Sequence, residues 1–275
     1  MHQYGIVFQV KENLLKKILM FVILIVFLVP IVTSSLLDLE QKRENEIIAQ
    51  QKILAEQQAE KDAAEKIYLL GEFDPSQRAD FAVVPNEYGI SGYTMYLRKE
   101  TLNAFLQMAA AAQKDGVDLK IASATRNFDY QEDLWDNKWN ALPAKMDGLT
   151  KFQTILEYSA VPGTSRHHWG TEIDFNNANP QYFNTKEGEA VYDWMEKNAA
   201  SYGFCQTYTA KGPNRPTGYN EEKWHWSYLP LSRGFTQDYK RLINEQDIKG
   251  FEGDEYVAGQ NLINNYVLGI NPECL

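Results

Sequence analysis

An apolar run near the N-terminus constrains this chain more than any other feature of its sequence. From Ile18 to Val32 no side chain is charged or polar, and residues 33–37 extend the run. A helix needs roughly 20 mostly apolar residues to cross a bilayer, so residues 18–37 can form a transmembrane anchor. Lysines precede the run and acidic residues follow it. The positive-inside rule therefore predicts a cytoplasmic tail over residues 1–17 and a single-pass membrane protein whose remainder is extracytoplasmic.

A cleaved signal peptide is the alternative for the same segment. The apolar core of a signal peptide is usually about 7–15 residues long and is followed by a small-x-small cleavage motif. The run in this chain is longer, and no clear motif of that kind follows it, although Ser34 and Ser35 keep cleavage open. These features favour an uncleaved anchor.

The composition describes an acidic chain that can build a core. Hydrophobic residues make up 44% of the sequence and the formal net charge is −10. This charge argues against a nucleic-acid partner, because phosphate binding needs a basic face. Cys205 and Cys274 either form one disulfide, which an exported protein permits, or stay unpaired.

Residues 38–70 contain many Glu, Lys, Gln and Ala residues and no Gly or Pro, which favours a helix. We predict a helical stalk here. Its apolar residues are too sparse for a firm heptad pattern, so a dimer formed through a coiled-coil stalk is an open alternative. A globular domain is predicted over residues 71–275.

Within that domain, helical periodicity is mixed with short alternating segments. Helices are predicted over Thr101–Lys114, with Thr101 as the cap, over Tyr130–Trp139 and over Glu187–Tyr202; strands are predicted over Asp118–Ala124, Thr171–Phe175 and Lys223–Tyr228. Because no regular βαβ rhythm occurs, we expect an α+β fold with a small, mainly antiparallel sheet flanked by helices.

Three of the four histidines lie in two short stretches, SRHHWGTEID from Ser165 and EKWHWSY from Glu222. In the first stretch, Ile173 and Phe175 flank Asp174, so on a strand the carboxylate points away from the core. Trp224 and Trp226 flank His225 in the same way. A catalytic zinc site uses three protein ligands, often His and carboxylate, and keeps one position open. The alternatives are a solvated Asp on a surface strand and a core His.

The pattern SxHxxGxxxD from Ser165, followed by ExWH from Glu222, resembles the VanY-type zinc D-alanyl-D-alanine carboxypeptidases of the M15 peptidase group. That group also includes D-Ala-D-Ala dipeptidases and L,D-carboxypeptidases. The upstream segment SATRNFDYQ from Ser123 resembles the family segment that holds an Arg and a Gln. The motifs occur in family order between Ser123 and Tyr228.

The resemblance implies a role for each matching residue. It implies that Zn²⁺ at the face of the sheet is held by His167, Asp174 and His225, with the family spacing selecting His167 over His168. It implies Glu222 as the catalytic base, which takes a proton from zinc-activated water. Arg126 is the candidate catalytic and substrate-binding cation, for the substrate carboxylate or the developing oxyanion, and the alternative for it is a surface ion pair. Gln131 and Ser165 are candidate hydrogen-bonding partners of the substrate.

One residue departs from the family pattern. Two positions before the Asp ligand the family usually has Ala, and this chain has Glu172. If Glu172 points into the site, it alters the charge or the metal affinity there. If the strand alternates, Glu172 shares a face with Asp174 and lies at the pocket rim.

The predicted function is therefore a membrane-tethered zinc carboxypeptidase that removes the C-terminal D-amino acid from peptidoglycan stem peptides. L,D-carboxypeptidase, dipeptidase and cross-link endopeptidase activities are alternatives with the same zinc centre. A non-catalytic wall-binding module is a further alternative; it predicts loss of a ligand or of the base, and all four residues are present.

Overall fold

The computed structural model describes residues 2–90, 92–157 and 159–275, with side chains from Lys11 onward. The chain divides into two compact units, Met1–Lys61 and Asp62–Leu275. The helices are α1 His2–Leu69, α2 Lys99–Lys114, α3 Phe128–Ala141, α4 Gly148–Leu156, α5 Lys186–Asn198 and α6 Leu229–Leu242. The strands are β1 Phe81–Val83, β2 Tyr96–Arg98, β3 Ile121–Ser123, β4 Glu172–Phe175, β5 Phe204–Gln206 and β6 His225–Tyr228.

The first unit consists of helix α1 up to Lys61. By length and composition this helix can cross a membrane, and the apolar side chains between Leu14 and Leu37 are exposed. The segment predicted as a stalk is also helical up to Leu69. Dimerisation through that segment stays a prediction.

The second unit begins before the predicted domain boundary at Gly71. Tyr68, Leu69 and Leu70 are buried in an apolar cluster of this unit. The Tyr68 hydroxyl donates to the Trp169 carbonyl over 2.6 Å, and the Trp169 indole N–H donates to the Leu69 carbonyl over 3.2 Å. The last turns of α1 therefore belong to the globular unit, although their composition continues that of the preceding helix.

A four-stranded antiparallel sheet organises the second unit, with strand order β3-β4-β6-β5. Strands β1 and β2 form a separate antiparallel pair. Helices α2 and α5 pack on one sheet face, where Ile173, Phe175 and Trp226 enter the main apolar cluster. The expected α+β fold with a small antiparallel sheet is confirmed, and the alternation predicted for residues 171–175 places Ile173 and Phe175 in the core.

The predicted elements are present with shifted bounds. Helix α2 begins at Lys99 with Arg98 at the N-cap, so the prediction of Thr101 as cap is wrong; Thr101 is buried within the first turn. Helix α5 stops at Asn198, and a 3₁₀ turn, Ala199–Tyr202, leads to Gly203. Strands β1, β2 and β5 and helix α4 were not predicted, because each is short. Helix α6 was not predicted either, although its apolar residues follow a helical period.

Cys205 and Cys274 form a disulfide between β5 and the C-terminal segment, with their Cα atoms 5.8 Å apart. The sequence left open whether these cysteines pair, and in the structure they do. The bond closes a loop by joining two residues that are 69 positions apart in the sequence. It is attached to β5, the strand that pairs with β6.

Replacing both cysteines by alanine is expected to lower the free energy of unfolding by about 4 kcal/mol, because the unfolded chain regains the entropy of that loop. Urea denaturation of the purified chain in detergent measures the change. Reductant should destabilise the unchanged chain and leave the double variant unaffected; equal midpoints for both chains without reductant would contradict the prediction.

Candidate metal centre and its pocket

The register of two central strands brings two of the predicted ligands together. In the antiparallel pair β4–β6, Asp174 lies directly opposite His225, and Glu172 lies opposite Ser227. Side chains at directly opposed positions share a sheet face and have Cβ atoms about 5 Å apart. Asp174 and His225 are therefore neighbours on the face opposite the main apolar cluster.

The third predicted ligand comes from a short turn. His167 belongs to the 3₁₀ turn Arg166–Trp169, which ends at Gly170 with a left-handed φ of 71°. A Cβ atom at Gly170 would lie 2.5 Å from the Phe81 ring, so both the backbone conformation and the space require glycine. This turn directs the chain into β4 with His167 facing the sheet ligands.

Three donor atoms converge at the centre. His167 Nε2 and His225 Nδ1 each lie 3.3 Å from Asp174 Oδ1, and one ligand atom from each residue lies within 4.8 Å of the others. All three side chains are buried.

The hydrogen bonds on the far side of each imidazole determine which nitrogen is available. His167 Nδ1 lies 2.7 Å from the Ala124 carbonyl oxygen, which only accepts, so Nδ1 carries the proton and Nε2 offers a lone pair. His225 Nε2 lies 3.0 Å from Glu172 Oε2, so Nε2 carries a proton and Nδ1 is the nitrogen that faces Asp174 and Glu222. Among the described residues, neither His167 Nε2 nor Asp174 Oδ1 has a hydrogen-bond partner.

These donors fit a metal ion. Buried polar atoms without a partner are rare because desolvation is costly, and a cation at their meeting point would satisfy them. Two imidazole nitrogens and one carboxylate oxygen form a ligand set of catalytic zinc sites, which leave one position open. Glu222 lines the same pocket, and its Oε2 lies 3.4 Å from His225 Nδ1.

The centre attracts positive charge. Burial alone would raise the pKa of Asp174, but His167 and His225 hold that pKa well below its usual value. Burial would likewise lower the pKa of His225, yet Asp174, Glu172 and Glu222 raise it well above the usual value. Burial and the nearby Arg126 lower the pKa of His167, which keeps this imidazole neutral and able to donate its lone pair.

His168 lies outside this centre. Its Nδ1–H donates to the Arg126 carbonyl over 2.6 Å, and its Nε2 accepts from the Gly163 N–H over 3.1 Å. Burial lowers the pKa of His168 to about 3. Both ring nitrogens are thus used inside the protein, so His168 has no lone pair left for a ligand.

The structure brings most of the predicted substrate-binding residues to one pocket. Arg126 and Ser165 line it together with Glu222 and the three ligand residues. Arg126 Nε and Ser165 Oγ are buried and have no hydrogen-bond partner in the described part of the chain. Gln131 is not in the lining; it is fully buried behind the pocket, where its Nε2 donates to the Ala160 carbonyl over 2.7 Å.

Several further lining residues were not predicted from the sequence, among them Lys138, Ser159, Tyr208 and Tyr219. Lys138 Nζ donates to Ser159 Oγ over 2.8 Å and adds a second cation to the pocket. Its position two helical turns after Gln131 was the available signal. Nothing in the sequence marks Tyr208, whose ring packs on His225 with centroids 4.9 Å apart.

Glu172 shares the face of Asp174, as strand alternation predicts, but the expectation that it lies at the pocket rim is wrong. Its side chain is completely buried beneath His225, on the side of the imidazole away from Asp174 and Glu222. The position is covered by Arg166, His225 and Ser227, which all contact the Glu172 carboxylate.

A buried centre of two histidines and one aspartate beside a pocket glutamate defines the class of metal-dependent hydrolases. The sequence profile of the VanY family, described as D-alanyl-D-alanine carboxypeptidase, matches residues 94–231, half of the chain. The protein belongs to this family.

Individual relatives agree with the family match. A D-alanyl-D-alanine carboxypeptidase of Enterococcus faecalis is 34% identical over 126 residues, which cover 44% of each chain. A putative carboxypeptidase of Bacillus subtilis, YodJ, is 29% identical over 169 residues, or 58% of this chain and 56% of that one. The chain thus spans about half the length of these curated relatives.

Solved structures with some similarity include the LdcB LD-carboxypeptidase, with 25% identity, 68% of this chain and 79% of that chain covered, and a TM-score of 0.47. A zinc complex of a vancomycin resistance D,D-pentapeptidase VanY variant has 25% identity, 64% and 93% coverage, and a TM-score of 0.43.

The two neighbouring histidines should respond differently to substitution. His167→Asn is expected to abolish tight zinc binding, since it removes one of three ligands. His168→Asn is expected to keep zinc binding and to lower the free energy of unfolding by about 1–3 kcal/mol, because it disrupts two buried hydrogen bonds. Zinc titration and urea denaturation of both variants measure these effects. Loss of zinc binding in His168→Asn but not in His167→Asn would exclude His167 as the ligand.

Proposed function

We propose that this protein is a zinc-dependent carboxypeptidase that removes the C-terminal D-amino acid from peptidoglycan stem peptides, with D-alanyl-D-alanine as the bond cleaved. The observation that carries the proposal is the convergence of His167 Nε2, Asp174 Oδ1 and His225 Nδ1 beside Glu222. Membership of the VanY family supports the choice of bond.

Zinc is the ion that this donor set favours, and when bound it would supply a Lewis acid that brings the pKa of water near 7. His167, Asp174 and His225 would hold it. Glu222 is only partly exposed and adjoins the ligands, so its carboxylate can accept a proton from the attacking water. The same carboxylate can return that proton to the leaving amine.

The cations of the pocket suit the free end of a peptide. Arg126 Nε has an unused donor, and Arg126 and Lys138 line the same pocket as Glu222. A guanidinium binds a carboxylate through charge-assisted hydrogen bonds. We infer that Arg126 holds the terminal carboxylate of the substrate, that Lys138 adds a second positive charge there, and that Ser165 donates a hydrogen bond to the substrate.

The N-terminal helix and the disulfide support a proposed location. An apolar helix with exposed side chains is unfavourable in water and favourable in a bilayer, which supports α1 as a single-pass anchor. The Cys205–Cys274 disulfide supports an oxidising compartment for the domain. We therefore place the catalytic domain on the extracytoplasmic side, where peptidoglycan lies.

The purified chain is expected to release D-alanine from a muropeptide with a pentapeptide stem, and a chelator should abolish the release. Glu222→Gln should retain zinc and lose about 10²–10⁴-fold in kcat, since it removes the proton acceptor while keeping the shape. Mass spectrometry of products identifies the bond, and metal analysis measures zinc.

A product from tetrapeptide stems alone would replace the D,D assignment by L,D-carboxypeptidase. Zinc-loaded protein that binds stem peptides and cleaves none would favour a wall-binding module. Loss of zinc from the Glu222→Gln variant would mean that Glu222 is a ligand. Glu221→Gln, at the exposed neighbouring position, serves as the matched control and should retain activity.

Arg126 and Lys138 should strengthen substrate binding by attracting the terminal carboxylate of the substrate. Arg126→Ala is expected to raise KM at least tenfold, and Lys138→Gln is expected to raise it by a smaller factor, for a peptide with a free carboxyl end. Neither change should alter KM for the same peptide with an amidated end. Equal effects on both peptides would contradict the carboxylate role; Lys145→Gln, which does not line the pocket, is the control.

A further inference from the structure

A buried polar network lies beneath the metal centre and contains two opposite charges, Glu172 and Arg166. We propose that Glu172 is a positioning residue that holds His225 in the orientation and tautomer needed for the metal, and that Arg166 is its charge partner. This inference deepens the proposed function and rests on the metal centre described there.

The contact between Glu172 and His225 is direct. Glu172 Oε2 lies 3.0 Å from His225 Nε2, the ring nitrogen opposite the one that faces Asp174. A carboxylate only accepts hydrogen bonds, so it requires the proton on Nε2 and leaves the Nδ1 lone pair for the ion. A hydrogen bond of this kind fixes the ring plane and increases the basicity of the coordinating nitrogen.

The Glu172 carboxylate is itself fixed on every side. The Ser227 hydroxyl donates to Oε2, and the hydroxyl of Thr207 lies 3.3 Å from the same oxygen. The hydroxyl of Thr171 lies 3.3 Å from Oε1. The side chain is completely buried, so these contacts hold the carboxylate in one position.

Arg166 supplies the opposite charge to this carboxylate. One of its terminal nitrogens lies 3.4 Å from Glu172 Oε1 and donates to Ser227 Oγ over 3.2 Å, and the other donates to Thr236 over 2.9 Å. The guanidinium also stacks on Trp169, 4.5 Å from the ring centroid. Both members of the pair are inaccessible to water.

Three members of this network lie on the same segments as the predicted metal ligands. Arg166 precedes His167 in one turn, Glu172 is two residues before Asp174 in β4, and Ser227 is two residues after His225 in β6. The network therefore joins the three segments directly below the three ligands. Because Arg166 and Glu172 have opposite charges, it does so without changing the net charge of the centre.

A purely structural ion pair is the competing explanation. It would stabilise the fold, and a neutral replacement of both partners would restore zinc affinity as well as stability. A positioning role requires a hydrogen-bond acceptor at residue 172 even when the charges are gone. Two neutral double variants separate these explanations, because they differ only in that acceptor.

The first double variant is Arg166→Met with Glu172→Leu, and the second is Arg166→Met with Glu172→Gln. The full chain in detergent micelles is titrated with zinc against a chromophoric chelator, and the thermal unfolding midpoint of the metal-free protein is recorded. We expect zinc affinity to fall about 10- to 100-fold in the variant with Glu172→Leu, and to recover in large part in the variant with Glu172→Gln. The midpoints of the two double variants should be similar.

The single substitution Glu172→Ala should lower the unfolding midpoint more than the double variants do, because it leaves the Arg166 charge buried and unpaired. Asp247→Asn is the matched control. It breaks the partly buried ion pair with Lys66, at 3.0 Å and away from the pocket, and should change stability without changing zinc affinity.

Zinc affinity within twofold of the unchanged chain in both double variants would overturn the positioning role and leave the proposed function standing. Equal loss in both variants would also overturn it, since the acceptor would then have no effect. Absence of zinc binding by the unchanged chain would overturn both the proposed function and this inference.

Discussion

Asp174 and His225 face each other across the antiparallel strands β4 and β6, and the rest of the site is arranged around that pairing. Because side chains alternate along a strand, a one-residue slip of either strand would turn its candidate ligand towards the apolar core and separate the two residues. The same register places Glu172 opposite Ser227. The contact between Glu172 and Ser227 therefore forms together with the contact between Asp174 and His225. His167 completes the centre from a turn that only glycine at position 170 permits.

The site concentrates buried charge at a place where an ordinary domain would have apolar packing. Glu172 and Arg166 have no exposed side-chain surface, and Asp174 is almost equally buried. Removing such groups from water is costly unless each finds a partner. Here Arg166 and Glu172 compensate each other through shared hydroxyl groups, while Asp174 Oδ1 and His167 Nε2 keep unused lone pairs aimed at one point. The paired charges of Arg166 and Glu172 therefore lie next to the atoms that lack a partner.

Local sequence patterns were sufficient where they reflect local physics. The alternation of Ile173, Asp174 and Phe175 predicted both the strand and the face of the carboxylate, and the cluster of His167, Asp174 and His225 was recognisable from ligand types and spacing. The prediction of Thr101 as the helix cap was wrong, because a residue type that favours caps can also occupy a buried position within a helix. The globular unit begins before the predicted boundary at Gly71. Tyr68 and Leu69 favour a helix locally, but their contacts with Trp169 join them to the globular unit.

The sequence by itself determined the apolar N-terminal helix and the mixture of helices and short strands, because these follow from neighbouring residues, and its resemblance to a family pattern selected the candidate ligands. Only the tertiary structure decided that His168 is held by Arg126 and Gly163, that Gln131 lies behind the pocket, and that Lys138 lies in it. It also decided the place of Glu172, whose carboxylate is buried against His225, a partner 53 residues away. Such relations depend on contacts between distant segments, which residue spacing along one segment does not record.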